Sequence, residues 1–163
     1  MFCPSCGQQT FIASSEKSFQ CSECAFTFFK NTASAVLAII RCQDEILVAV
    51  RAREPGKGMW DFPGGFVDYN ESLEQALFRE LEEELAFKAE NARYFGSCPN
   101  TYRYKDVVYK TCDAFFAIEL KQKPNMQAND DVADVKWVKT SEIQTDKFAF
   151  DSARKALALY LAD

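Results

Sequence analysis

Residues 72–87 read SLEQALFRELEEELAF, rich in Leu, Glu and Ala without Gly or Pro, and they predict the clearest helix of the chain. At about 100° per residue from Leu73, the side chains of Leu77, Leu81 and Leu85 sweep one side, with Ala76 beside them. On the same wheel Glu80 and Glu84 project within about 20° of the Leu73 direction, the side that faces a sheet. Glu83 lies at the edge of that face and Glu82 points to solvent. A carboxylate on an inner face is costly unless it is paired or bound to a cation. Three of them at i, i+3 and i+4 repel one another unless a divalent ion neutralises them. The helix therefore demands both a sheet to pack on and a cation to hold.

Hard carboxylate oxygens favour Mg²⁺ or Mn²⁺, which take few protein ligands and the rest from water and phosphate. Such ions bridge phosphate oxygens and lower the pKa of an attacking water, the equipment for hydrolysing a pyrophosphate. The chain has no histidine, so a proton acceptor there is a carboxylate, Lys, Tyr, Cys or metal-bound hydroxide, and triads built on His are excluded.

Around this helix the pattern is that of a mixed α/β domain. Residues 35–40 form a continuous apolar run of strand length and residues 46–50 a second, with Gln43-Asp44-Glu45 as the turn between them. Residues 54–58 read as a loop and Pro63-Gly64-Gly65 as a second break. Residues 92–95, 101–104, 107–120 and 135–138 carry strand-like residues, and residues 121–130 are a polar loop. Residues 151–162 predict an amphipathic terminal helix, N-capped by Asp151 or Ser152.

Residues 1–30 differ in character. Cys3-Pro4-Ser5-Cys6 and Cys21-Ser22-Glu23-Cys24 are two C-x-x-C pairs. Each tight turn presents two sulfurs, and the pairs together complete a tetrahedral four-cysteine Zn²⁺ site with no open position, which makes it structural. Cys42, Cys98 and Cys112 lack such pairing; Cys42 and Cys112, among strand residues, are expected to be buried small hydrophobes. The expected domains are a zinc ribbon at 1–30 and an α/β domain at 31–163.

A net charge of −5 argues against a general nucleic-acid binder, so DNA is not expected as a partner. In the knuckle only Lys17 and Lys30 stand against Glu16 and Glu23, which speaks against RNA as well. No apolar run reaches the roughly 18 residues of a membrane span. Met1-Phe2-Cys3-Pro4 lacks the start of an export signal, and seven cysteines without one point to the reducing cytoplasm. Phe19, Phe26, Phe28 and Phe29 offer an apolar patch for a homodimer.

Residues 65–87 resemble the Nudix box, G-x5-E-x7-R-E-U-x-E-E-x-G-U with U apolar. Gly65, Glu71, Arg79-Glu80-Leu81, Glu83-Glu84 and Phe87 match, and Ala86 stands where the family has its last glycine. The resemblance implies an α/β/α sandwich with a mixed sheet and a pyrophosphohydrolase using Mg²⁺ or Mn²⁺. It implies that Glu80, Glu83 and Glu84 ligate the catalytic metals, joined by the Gly65 carbonyl, that Arg79 orients a glutamate, and that Glu71 braces the loop. A further acid from a later loop is assigned to Asp131, with Asp130 and Asp134 competing. Arg51, Arg53 and Lys57 are candidates for phosphate contacts and Tyr102 for stacking on a base. A zinc ribbon directly before such a domain is similar to the NADH pyrophosphatases, some of which remove NAD caps from RNA. Their SQPWPFPxS segment is matched here only at Ser97 and Pro99. The implied substrate is a nucleoside diphosphate linked to another moiety. The alternatives are a ligand-binding regulator that keeps the fold, and a hydrolase directed to RNA caps by the ribbon.

Overall fold

The computed structural model describes residues 1–162, which form two compact units, Met1–Thr32 and one from Ala33 onward. In the first, strands β1 (Phe11–Ser15), β2 (Ser18–Cys21) and β3 (Thr27–Phe29) make an antiparallel sheet in the order β1-β2-β3. Its small core is Cys3, Phe11 and Cys21, with Phe19 stacked on Phe11 at 5.5 Å. This is a very small apolar core for a separate unit.

The second unit is built on β4 (Ala33–Cys42), β5 (Glu45–Arg51), β6 (Trp60–Asp61), β7 (Gly64–Phe66), β8 (Arg93–Tyr104), β9 (Val107–Leu120) and β10 (Val132–Lys139). The main path runs β10-β5-β4-β9-β8, with β6 on β5 and β7 on β4. β4 and β9 are parallel and the other pairs antiparallel, giving a mixed sheet. Side chains of β4 alternate between two cores. Val36, Ala38 and Ile40 pack with Leu77, Leu81 and Leu85 of α1 (Leu73–Leu85), whereas Leu37 and Ile39 pack with Ala153, Ala156 and Leu157 of α2 (Asp151–Ala162). One helix covers each face, the expected α/β/α sandwich.

Three local expectations change. The break expected at Pro63-Gly64-Gly65 is shorter and earlier, at Phe62-Pro63 between β6 and β7: Gly64 and Gly65 pair with Leu37 and Val36 as β7, because long-range pairing overrides the weak strand preference of glycine. Residues 92–95 and 101–104 are ends of one strand, β8, which carries a bulge between Tyr94 and Gly96 and accommodates Pro99 as an edge strand does. Cys112 is exposed rather than buried: it shares the α1 face of β9 with Ala114, Phe116 and Ile118, but burial on that face begins only at Ala114; Cys42 and Cys98 are buried.

The ends of α1 follow local chemistry. Ser72 and Gln75 form a reciprocal capping box at its start. Ala86 closes it in the left-handed conformation, φ 51°. At α2 neither expected cap acts as one: Ser152 donates to Asp113, and Asp151 accepts from Arg154.

Candidate active site

The carboxylate helix meets the sheet where β7 passes beneath it. Gly64 has φ +140°, and a Cβ there would lie 2.0 Å from the Val36 carbonyl oxygen. At Gly65 a Cβ would lie 2.4 Å from the Glu80 carboxylate. Two consecutive glycines thus let backbone run directly under the acids, and the Gly64 N–H donates to Glu84 at 2.9 Å.

Glu84 is 7% exposed, and burial pushes its carboxyl up to about 8 against the pull of the Gly64 N–H, with Glu80, Asp61 and Asp131 adding like charge. Burial likewise raises Glu80 despite Arg79. Arg79 spreads its fork over the cluster. Nε and Nη2 donate to Glu71 at 2.8 and 3.0 Å, Nη1 to Glu80 at 2.8 Å and Glu83 at 3.1 Å, and Nη2 also to the Phe66 carbonyl at 3.1 Å. These bonds hold the Glu71 carboxyl below its ordinary range. Glu82 faces outward and pairs with Lys88.

The loop before β10 reaches the same place by capping α1. Gln127 and Asn129 donate backbone N–H groups to the terminal carbonyls of Leu85 and Glu84, at 3.1 and 2.9 Å. Asp131 is thereby brought to a cavity of about 100 Å³ that it shares with Glu84, Gly64, Gly65, Arg51 and Tyr102. Neither Glu80 nor Glu83 lines that cavity; Glu80 lies against Gly65, and Glu83 is half exposed on Arg79. Among the described residues the only Cys, Asp or Glu ligand atoms that converge in a set of three or more within 4.8 Å are those of cysteines. The carboxylates are instead held apart by Arg79, by the Gly64 N–H, and by Arg53, which pairs with Asp131 at 2.8 Å and Asp130 at 3.4 Å.

The basic candidates therefore separate. Arg51 is tied to Asp61 at 3.0 Å and the Pro55 carbonyl at 2.7 Å and lies over the Phe150 ring. Lys57 is exposed and lines neither this cavity nor its neighbours. Tyr102 stands edge-on to Phe66, 5.4 Å between centroids, and is a wall of the cavity. Asp134 bonds its neighbour Val135 and Lys136 and takes no part in the cavity. Sequence reasoning missed Asp61 and Asp113, both buried beside the cleft; Asp61 stands between Trp60 and Phe62, and Asp113 heads the apolar run of β9, which was the available signal. Burial pushes Asp61 up to about 6 against the Arg51 charge.

In the N-terminal unit Cys3, Cys6, Cys21 and Cys24 converge, all four Sγ atoms lying within 4.8 Å of one another. Cys3–Cys24 and Cys6–Cys21 are each 3.7 Å apart. Tetrahedral thiolates at about 2.3 Å from an ion would stand about 3.8 Å apart.

The NUDIX domain model matches residues 30–160. The NAD-capped RNA hydrolase NudC of Vibrio vulnificus is 33% identical over 83% of this chain and 49% of its own length. This chain thus spans about half the length of the curated relatives it matches. A NUDIX hydrolase from Nitrosomonas europaea has the same fold, with TM-score 0.77, 23% identity and coverage of 99% of this chain and 90% of that one. A bifunctional NMN adenylyltransferase/ADP ribose pyrophosphatase from Francisella tularensis, complexed with AMP and Mn ion, is 30% identical, with TM-score 0.65 over 82% of this chain and 42% of that one.

Proposed function

The chain belongs to the NUDIX family, and we propose that it hydrolyses the pyrophosphate bond of a nucleoside diphosphate linked to another moiety, a dinucleotide, ADP-ribose or a sugar nucleotide. The observation that carries this reading is Glu84, a buried carboxyl facing further acids across a cavity whose backbone wall is two glycines. Such a group asks for a cation. The Francisella relative's AMP and Mn ion, and the dinucleotide cap in the name of the Vibrio relative, support the substrate class.

Glu80, Glu83, Glu84, the Gly65 carbonyl and Asp131 would hold Mg²⁺ or Mn²⁺, which supplies charge neutralisation at phosphate and acidifies a bound water. Arg79 sets the rotamers of Glu80 and Glu83 and is itself anchored by Glu71. With no histidine in the chain, the proton of the attacking water passes to a carboxylate, which we assign to Glu83. Arg53 would be free to meet a phosphate if a cation took Asp131, Lys57 would reach it only from the exposed loop, Arg51 would contribute its field from the Asp61 pair, and Tyr102 would bound the base side. The products are a nucleoside monophosphate and a second phosphorylated fragment.

The four cysteines would hold a structural Zn²⁺, consistent with their spacing. Free cysteines suit the cytoplasm, and no helix among the described residues is long and apolar enough to cross a membrane. Exposed Phe26, Phe28 and Phe29 support a homodimer; a monomeric mass by light scattering at micromolar concentration contradicts it. The names of the curated relatives favour a second reading, cleavage of NAD-capped RNA.

A panel of NADH, NAD, ADP-ribose, sugar nucleotides and NAD-capped RNA, run with Mg²⁺ or Mn²⁺ beside Glu83→Gln, tests the proposal. Metal-dependent turnover lost in the variant supports it, and faster cleavage of capped RNA than of NAD selects the second reading. Silence on every substrate from a folded protein moves the assignment to a ligand-binding regulator.

A further inference from the structure

Adjoining the carboxylate cavity is a second lobe of about 60 Å³, sharing with it Arg51, Asp61, Phe66, Tyr102 and the two glycines. Its own polar residues are Asn100, Thr111 and Asp113. Taking about 30 Å³ per water, it has room for two waters or one small polar group.

Asp113 is 4% exposed, and the hydrolytic chemistry gives it no task. Thr111 donates to its Oδ1 at 2.5 Å, and Ser152, from the first turn of α2, donates to Oδ2 at 2.6 Å. A carboxylate accepts about four hydrogen bonds, so acceptor capacity remains after these two. The one guanidinium of the lobe is already committed, Nη1 to Asp61 and Nε to the Pro55 carbonyl. Asn100 and Tyr102 can donate into the lobe, whereas its anionic acceptors are the two buried carboxylates, and of these Asp61 has the arginine while Asp113 has no cationic partner among the described residues. A group that meets Asp113 is recognised by what it donates.

We propose that Asp113 is a specificity-determining residue that accepts a hydrogen bond from the nucleotide, from a ribose hydroxyl or an exocyclic amino group. Thr111 and Ser152 are its positioning residues, fixing the carboxylate between β9 and α2. The assignment rests on the reading of the cleft as a nucleotide site. A buried acceptor discriminates strongly against an analogue lacking the donor, because that analogue leaves it unpaired.

The test is calorimetric binding of AMP, IMP, 2′-deoxy-AMP and 3′-deoxy-AMP to wild type and to Asp113→Asn. IMP lacks the exocyclic amino group, and each deoxy form lacks one hydroxyl. One analogue is expected to bind wild type roughly tenfold more weakly than AMP and so to identify the donor. Asp113→Asn is expected to lose AMP affinity by a similar factor and to stop distinguishing that analogue. A variant that weakens all four ligands equally shows a structural role only and overturns the proposal. So does wild type binding all four within twofold, which needs no folded variant. Binding is read without turnover, so absent hydrolysis with retained discrimination defeats the proposed reaction and leaves Asp113 as assigned.

Discussion

The backbone N–H of Gly64 donates to Oε2 of Glu84 at 2.9 Å and, among the described residues, is the one hydrogen-bond donor to the innermost box carboxylate. That single donor does not offset burial, and the Glu84 carboxyl rises to about 8, while Asp61 nearby rises to about 6. Both folded-state values lie above the unfolded ones, so the metal-free fold binds more protons than the unfolded chain. Their contribution to stability is complete below the unfolded values near 4, and it is lost as pH rises through about 6 and then about 8. With EDTA present the melting temperature is expected to fall from about pH 5 to about pH 8.5. Mg²⁺ competes with the proton, so the rise in melting temperature it causes should grow with pH. A flat profile in EDTA contradicts the assigned shifts.

Arg79 makes five hydrogen bonds from one planar fork, two of them to Glu71 on the loop, one to the Phe66 carbonyl at the end of β7, and two to Glu80 and Glu83 on the helix. A lysine ammonium offers donors from a single point and cannot span loop and helix. Arg79→Lys is expected to lower kcat about 10- to 100-fold with a smaller change in KM. Steady-state kinetics on ADP-ribose decides it; a variant within twofold of wild type removes Arg79 from the positioning role.

Ala86 occupies the place of the box's last glycine, and it sits at φ 51°, ψ 31°, its N–H bonded to the Glu82 carbonyl at 3.0 Å. A Cβ in this conformation costs about 1 kcal/mol that glycine avoids. Ala86→Gly should therefore stabilise the protein by about that amount, seen as a higher urea midpoint at unchanged slope. A lower midpoint shows that the lost unfolded-state restriction outweighs the relieved strain.

The N-terminal unit has only three fully buried hydrophobic residues, two of them cysteines. Native mass spectrometry is expected to find one zinc per chain, and Cys21→Ser to lose it. Chelation should then collapse the amide dispersion of residues 1–32 in NMR spectra. Dispersion that persists without metal shows that the cysteine turns hold themselves.

The helix and the placement of its glutamates were legible because a 3.6-residue pattern and fixed spacings are local properties of the sequence. The cysteine convergence was legible for the same reason. β7 was not: glycines read as a break, and only pairing with β4 makes them a strand. The exposure of Cys112 depended on how far along β9 the cover of the α1 face reaches, which no local pattern sets. Asp61, between two aromatic residues, and Asp113, at the head of an apolar run, lie far apart in the chain, and only the folded arrangement brings both to one cleft. The ion pair of Arg53 with Asp130 and Asp131 joins segments far apart in the chain and has no local signature.

The most direct test of the account is a Mn²⁺ titration of wild type and Glu84→Gln, with ADP-ribose hydrolysis followed in the same samples. Wild type should bind Mn²⁺ and turn over only when it is bound. Glu84→Gln, close in shape to the protonated acid, should stay folded, bind at least about tenfold more weakly and lose about a hundredfold in kcat. Unchanged Mn²⁺ affinity and turnover in the variant, or full wild-type turnover in EDTA, contradicts the assignment of these carboxylates to a catalytic cation.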